Sequence, residues 1–154
     1  AAAQQGHTAV VEVLCEAGGE PLLMCVNEND DSCLYAAAQQ GHADIAEVLC
    51  KEGGMPLLMC VNNNGNSCLY IAAHDGHAAI VEMLLKAGGA ALLMLVRNGG
   101  TSCLYTAFEK GHTAVVEILE KACKKAGMSQ QQIATFKRVM TQEQQAALKL
   151  QIAA

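Results

Sequence analysis

Eight cysteines and five histidines in a chain of 154 residues could bind zinc, close disulfides or supply a thiolate nucleophile. Their spacing points elsewhere. No CxxC pair and no Cys/His cluster with zinc-ligand spacing occurs. Cys15 and Cys50 stand 35 residues apart, as do Cys25 and Cys60, and Cys33, Cys68 and Cys103 keep the same step. A residue type that returns at one place in a repeating unit serves the unit. These thiols therefore read as small core residues, all eight reduced and metal-free. Such thiols belong in a reducing compartment, so an intracellular, cytoplasmic location is expected.

The histidines obey the same step. Gly-His pairs stand at 6–7, 41–42, 76–77 and 111–112, and a histidine present in every unit is expected to orient a turn rather than to catalyse. His74, beside Asp75, is the exception. A His–Asp pair could orient a general base, but no nucleophile stands in register with it. Its counterparts are Gln39-Gln40 and Glu109-Lys110, which marks a variable surface position. "NENDD" at 27–31 alternates Asn27, Asn29 and Asp31 like the start of a calcium loop. The later bidentate Glu is absent, and the next copy, "NNNGN" at 62–66, is neutral. No Walker loop, GxSxG or HExxH is present. No catalytic residue, metal or cofactor is assigned.

Composition sets the elements that must carry these residues. The chain is 52% hydrophobic and 3% aromatic, with two Pro and no Trp, a balance that favours packed helices over a sandwich. The longest apolar stretch, "AGGAALLMLV" at 87–96, is about half of a membrane span, and Gln4, Gln5 and Gly6 interrupt any secretory h-region. The net charge of −5 hides a split. Residues 1–120 carry 4 Lys/Arg against 14 Asp/Glu, whereas residues 121–154 carry 6 against Glu143 alone. The first part would repel nucleic acid, and the basic tail reads as a solvated helical face, so no nucleic-acid partner is expected.

Ser-Cys-Leu-Tyr at 32–35, 67–70 and 102–105 keeps the 35-residue period alongside Gly-His. Such a period means stacked supersecondary units. In residues 67–101, Ser67 is placed to cap a short helix, "CLYIAAHD", whose Ala72 and Ala73 let a neighbour approach. Gly76 ends that helix in a left-handed turn. A second helix, "AAIVEMLLKA", is apolar nearly all round and needs cover on several sides; Gly88 is expected to close it. Asn64-Gly65 and Asn98-Gly99 supply hairpin turns. Met24, Met59 and Met94 are expected to pack.

This unit resembles the ankyrin repeat. The likeness rests on Ser-Cys-Leu-Tyr where that family usually has Thr-Pro-Leu-His, then on Ala72-Ala73, Gly76-His77, Ile80-Val81, Leu84-Leu85 and Gly88. It covers residues 1 to about 126 and recurs four times in register. The unit exceeds the family norm of about 33 residues by two, placed after Gly88 in front of the polar loop. The expectation is an all-α, ankyrin-type helix-turn-helix solenoid with hairpin-like loops, over residues 1–126. Its first repeat is incomplete, so further repeats are expected upstream. Residues 127–154 should form two C-terminal helices, capped at Ser129 with Gln132 and at Thr141 with Gln144, that cap the array or dock elsewhere. Ile133, Phe136 and Met140 share one face, with Lys137 and Arg138 towards the other.

The resemblance implies a protein-interaction scaffold and a concave partner surface built from hairpin tips and first-helix ends. Carried across, the tip positions are Asn29, Asp30, Asp31, Asn63, Asn64, Asn66, Arg97 and Asn98. The helix positions are Gln39, Gln40, His74, Asp75, Glu109 and Lys110. Two other readings stay open: a constitutive subunit docked in a larger complex, or a regulatory piece of a longer protein with a catalytic domain elsewhere.

Overall fold

The computed structural model describes residues 23–153. Most of the first unit, with His7, Cys15 and the apolar stretch 9–14, lies outside the described residues. Three helix pairs follow in order: α1 (Cys33–Gln40) with α2 (Ala43–Leu58), α3 (Cys68–Asp75) with α4 (Ala78–Leu93), and α5 (Cys103–Lys110) with α6 (Thr113–Lys125). Then come α7 (Gln130–Phe136) and α8 (Gln142–Ala153). First helices pack on first helices and second on second, which gives two layers.

Each first helix is bounded by the same two devices. The hydroxyls of Ser32, Ser67 and Ser102 accept the backbone N–H of Tyr35, Tyr70 and Tyr105 at 3.1, 3.0 and 3.0 Å, caps worth about 1 kcal/mol each. Gly41, Gly76 and Gly111 end the helices at φ of 77°, 79° and 75°, a conformation that costs any other residue a Cβ clash. Between the layers lie small and branched side chains with no exposure, among them Ala37, Ala72, Ala107, Leu69 and Leu84. The alanines set the close spacing of the first-helix row.

The second helix ends one residue later than expected. Gly53 and Gly88 are helical and buried, and the chain breaks at Gly54 (φ 56°, ψ −155°) and Gly89 (φ 59°, ψ −149°). The two glycines do different work. A Cβ on Gly88 would lie 2.7 Å from Leu92 Cβ, so that position is a packing site. Gly89 supplies the reversal. The apolar run beyond it then folds into a further helical turn that buries Leu92 and Leu93 completely, as Leu57 and Leu58 are buried one unit earlier. Burial of each leucine contributes roughly 1.5–3 kcal/mol.

Two core expectations need correction. Met94 is buried and Met59 half-buried against the core, but Met24 is exposed. Cys68, Cys103 and Cys123 are buried, Cys33, Cys50 and Cys60 are half-buried, and Cys25 is exposed. The thiols of Cys33, Cys68 and Cys103 each face a carbonyl ten residues back, on Leu23, Leu58 and Leu93. Loss of water pushes the Cys68 and Cys123 thiols up to about 12, and Cys50 to about 11.

Ala38 and Ala73 have no exposure, being covered by the next first helix, whereas the equivalent Phe108 is 58% exposed. The chain beyond α6 turns back onto this end. Ile133, Phe136 and Met140 join the core, and both expected capping boxes form, at Ser129–Gln132 and Thr141–Gln144. The Ser102 hydroxyl, besides capping α5, donates to the Phe136 carbonyl at 2.5 Å. Lys137 is not turned to solvent: it pairs with Glu120 and lies 5.4 Å over the Phe108 ring.

Candidate functional site

The hairpin tips form a ladder. Within the first two, the side chain of Asn27 or Asn62 accepts two backbone N–H groups, from Asn29 and Asp31 and from Asn64 and Asn66, at 2.9–3.0 Å. This Asx arrangement holds the chain in a turn closed by Asp30 (φ 61°) or Gly65 (φ 75°). Between tips, Asn63 N–H donates to Asn29 O at 3.2 Å and Asn98 N–H to Asn64 O at 3.0 Å. Met140 N–H donates to Gly100 O at 2.8 Å, so the segment after α7 pairs with the third tip much as each tip pairs with its neighbour. Side chains reinforce the row: Asn62 Nδ2 donates to Asp31 at 2.8 Å, and Asn98 Nδ2 to Asn63 O at 3.1 Å.

A second set of ties joins the helix ends. His77 Nε2 lies 3.1 Å from Gln39 O, and His112 Nε2 lies 3.0 Å from His74 O. A carbonyl only accepts, so in both rings Nε2 carries the proton. His77 and His112 thus bolt each repeat to the previous one, and neither side chain caps the helix that follows it. Glycine must precede them for a further reason, since a Cβ on Gly41 or Gly76 would come within 2.8 or 2.7 Å of the next repeat's imidazole.

The expected surface residues fall into two groups. Asn29, Asp30, Asn63, Asn64 and Asn98 are exposed along the tips, and Gln39, Gln40, Asp75, Glu109 and Lys110 at the ends of α1, α3 and α5. Asp31, Asn66, His74 and Arg97 are half-buried and belong partly to the framework. His74 Nδ1 donates to Asp75 at 2.7 Å, and its ring stacks on Tyr70 with centroids 6.3 Å apart. Arg97 lies 5.5 Å over the same Tyr70 ring and donates to its hydroxyl at 3.3 Å. A continuous row, Arg97–Tyr70–His74–Asp75, therefore links the third tip to the end of α3. Of the expected surface residues, this row joins Arg97 at a tip to His74 and Asp75 at a helix end.

Tyr70 was absent from the sequence-based set, as was Tyr35, whose phenol is pushed up by burial while Asn66 and Asn62 beside it act the other way. The available signal was the period itself: Tyr35 to Asn62 and Tyr70 to Arg97 are both 27 residues, one first helix meeting the next loop. Charge along the face changes from acidic at the first tip (Glu28, Asp30, Asp31) through neutral at the second to cationic at Arg97. Among the described residues, no three His, Cys, Asp or Glu side chains converge as a metal site requires. No described helix is long and apolar enough to cross a membrane.

No curated protein matches the chain. The family model described as ankyrin repeats, in three copies, matches residues 1–56 and 54–129. With that match over most of its length, and with helix pairs stacked at a constant step through Gly-His ties and paired tips, the chain belongs to the ankyrin repeat family.

Proposed function

We propose that this array binds a protein partner along its hairpin tips and first-helix ends, without catalysing a reaction. Ankyrin repeats are in general protein–protein interaction modules. The finer reading is supported by one observation above the rest. The tip backbones are tied to one another through Asn29, Asn63, Asn64 and Asn98, while the side chains of Asn29, Asn63 and Asn64, and of Gln39, Gln40, Glu109 and Lys110 at the helix ends, are exposed and make no hydrogen bond among the described residues. A fixed backbone that offers uncommitted polar groups loses little entropy on binding. A photo-crosslinking residue at Asn64 should capture a partner in cell extract that the same residue at exposed Glu82, on the opposite layer, does not. Equal capture at both sites would count against the surface.

A second reading is favoured by Val26 and Val61, 49% and 44% exposed at equivalent loop positions, with Met24 and Met55 also exposed. These would suit permanent docking in a larger assembly. Crosslinking from Val61 but not from Asn64 would select it. Residues 127–154 act, in this proposal, as the cover of the third helix pair, because Phe136 and Met140 sit in the array's own core.

A further inference from the structure

We propose that Asn98-Gly99 is a site of spontaneous, self-inflicted modification: the amide nitrogen of Gly99 converts Asn98 to aspartate or isoaspartate. Two Asn-Gly pairs lie on the tips, at 64–65 and 98–99, and their surroundings differ. In the first two tips, the residue at the loop entrance is Asn27 or Asn62, whose side-chain oxygen accepts the N–H two residues on. In the third tip that place is taken by Arg97, whose side chain has no acceptor and turns to Tyr70 instead. The N–H of Gly99 consequently has no acceptor among the described residues. Gly99 is exposed at φ +94°, with nothing within 4 Å of where its Cβ would stand.

Gly65 is held differently. Its N–H donates to Asn62 O at 2.9 Å, and a Cβ there would meet Asn98 N at 2.8 Å. Attack requires a nitrogen that is neither engaged nor crowded, with no Cβ on the following residue to hinder ring closure. Only the 98–99 pair of the two offers that.

The reaction balances with water alone. The Gly99 nitrogen bonds to Asn98 Cγ, the Cγ–Nδ2 bond breaks, and ammonia leaves with the proton that Gly99 gives up. The five-membered succinimide is then opened by water at either carbonyl, leaving aspartate or isoaspartate. One amide is exchanged for one carboxylate, with no oxidant or cofactor. The product loses the Nδ2–H donor that now bridges Asn98 to Asn63 O. A carboxylate in its place faces that carbonyl, so the tie between second and third tips weakens. Whether or not a partner binds there, the chemistry is the same.

The test is incubation of the folded chain in mildly alkaline buffer at body temperature, followed by peptide mapping with mass detection of aspartate and isoaspartate at 64 and 98. Conversion at Asn98 should be several-fold faster than at Asn64 in the folded chain, and the difference should collapse in denaturant. Arg97→Asn restores the side-chain acceptor and should slow site 98 while leaving site 64 unchanged. Equal rates in the folded chain, a ratio that persists in denaturant, or an R97N variant converting as fast as its parent would each overturn the assignment.

Discussion

The imidazole of His112 occupies the space that a Cβ on Gly76 would need: the built Cβ falls 2.7 Å from its Nδ1. Two demands therefore meet at Gly76, a φ of +79° and room for the ring that bonds to His74 O. Gly76→Ala should cost about 1–2 kcal/mol for the left-handed backbone and roughly another 1 kcal/mol for the displaced hydrogen bond. His112→Ala removes the clash with the bond. The double variant should therefore lose less stability than the two single losses added together, as coupled neighbours do. Urea unfolding of the four proteins measures this; strict additivity would mean that the ring does not press on Gly76.

Alkaline stability should report the buried thiols. Cys68 and Cys123 rise from an ordinary 9.0 to about 12 in the fold, because burial strips water from the thiolate. Between those values the unfolded chain has released protons that the folded chain still holds, so the folded state is progressively disfavoured as pH rises. The contribution is complete below about pH 9 and lost as pH approaches 12. Melting temperatures in reductant should fall across that window, and Cys68→Ala should flatten the fall. An identical slope in parent and variant would remove the thiol from the account.

The repeat, its caps and its helix pairs were legible because single residue types dictate them locally: a Ser that can cap, a Gly that can turn left-handed, alanines that permit close approach. What escaped the sequence was decided by groups distant along the chain. Gly88 and Gly89 are equivalent in composition, and only Leu92 packing on the first shows that the second must turn. Cys25 and Cys60 share a register but not an environment. Lys137 lies on the polar side of its helix by periodicity, yet its long stem lets it fold back to Glu120 and Phe108. Among the surface residues, exposure separates Asn64 from Asp31, which the alternation of polar letters could not do.

That separation changes how the partner surface should be probed. Asp31 accepts from Asn27 Nδ2 at 3.2 Å and from Asn62 Nδ2 at 2.8 Å, so Asp31→Ala should lower stability by about 1 kcal/mol through loss of the tie between tips. The side chains of Asn64 and Glu109 make no such bonds among the described residues, and the backbone ties of Asn64 survive a change to alanine. An Asn64→Ala, Glu109→Ala double variant should keep its stability within about 0.5 kcal/mol and bind a crosslinked partner less tightly. Full affinity in a folded double variant would contradict the proposed surface.

Phe136 has no exposure, its carbonyl accepts from the Ser102 hydroxyl that also caps α5, and four residues on Met140 pairs with the third tip. Phe136→Ala should therefore cost about 3–5 kcal/mol, the usual loss for a buried phenylalanine. The damage should be local first. Amide exchange should quicken in α5 and α6, where Val115, Leu119 and Cys123 face the same core, before α1 and α2 respond. Lys137→Ala, which removes an ion pair and a ring contact at the half-exposed rim, should cost about 1 kcal/mol or less. The rival is a docking helix that leaves the array to meet a partner. It predicts an unchanged melt for Phe136→Ala with loss of partner binding, and that outcome would transfer α7 from the core of this molecule to the interface with another.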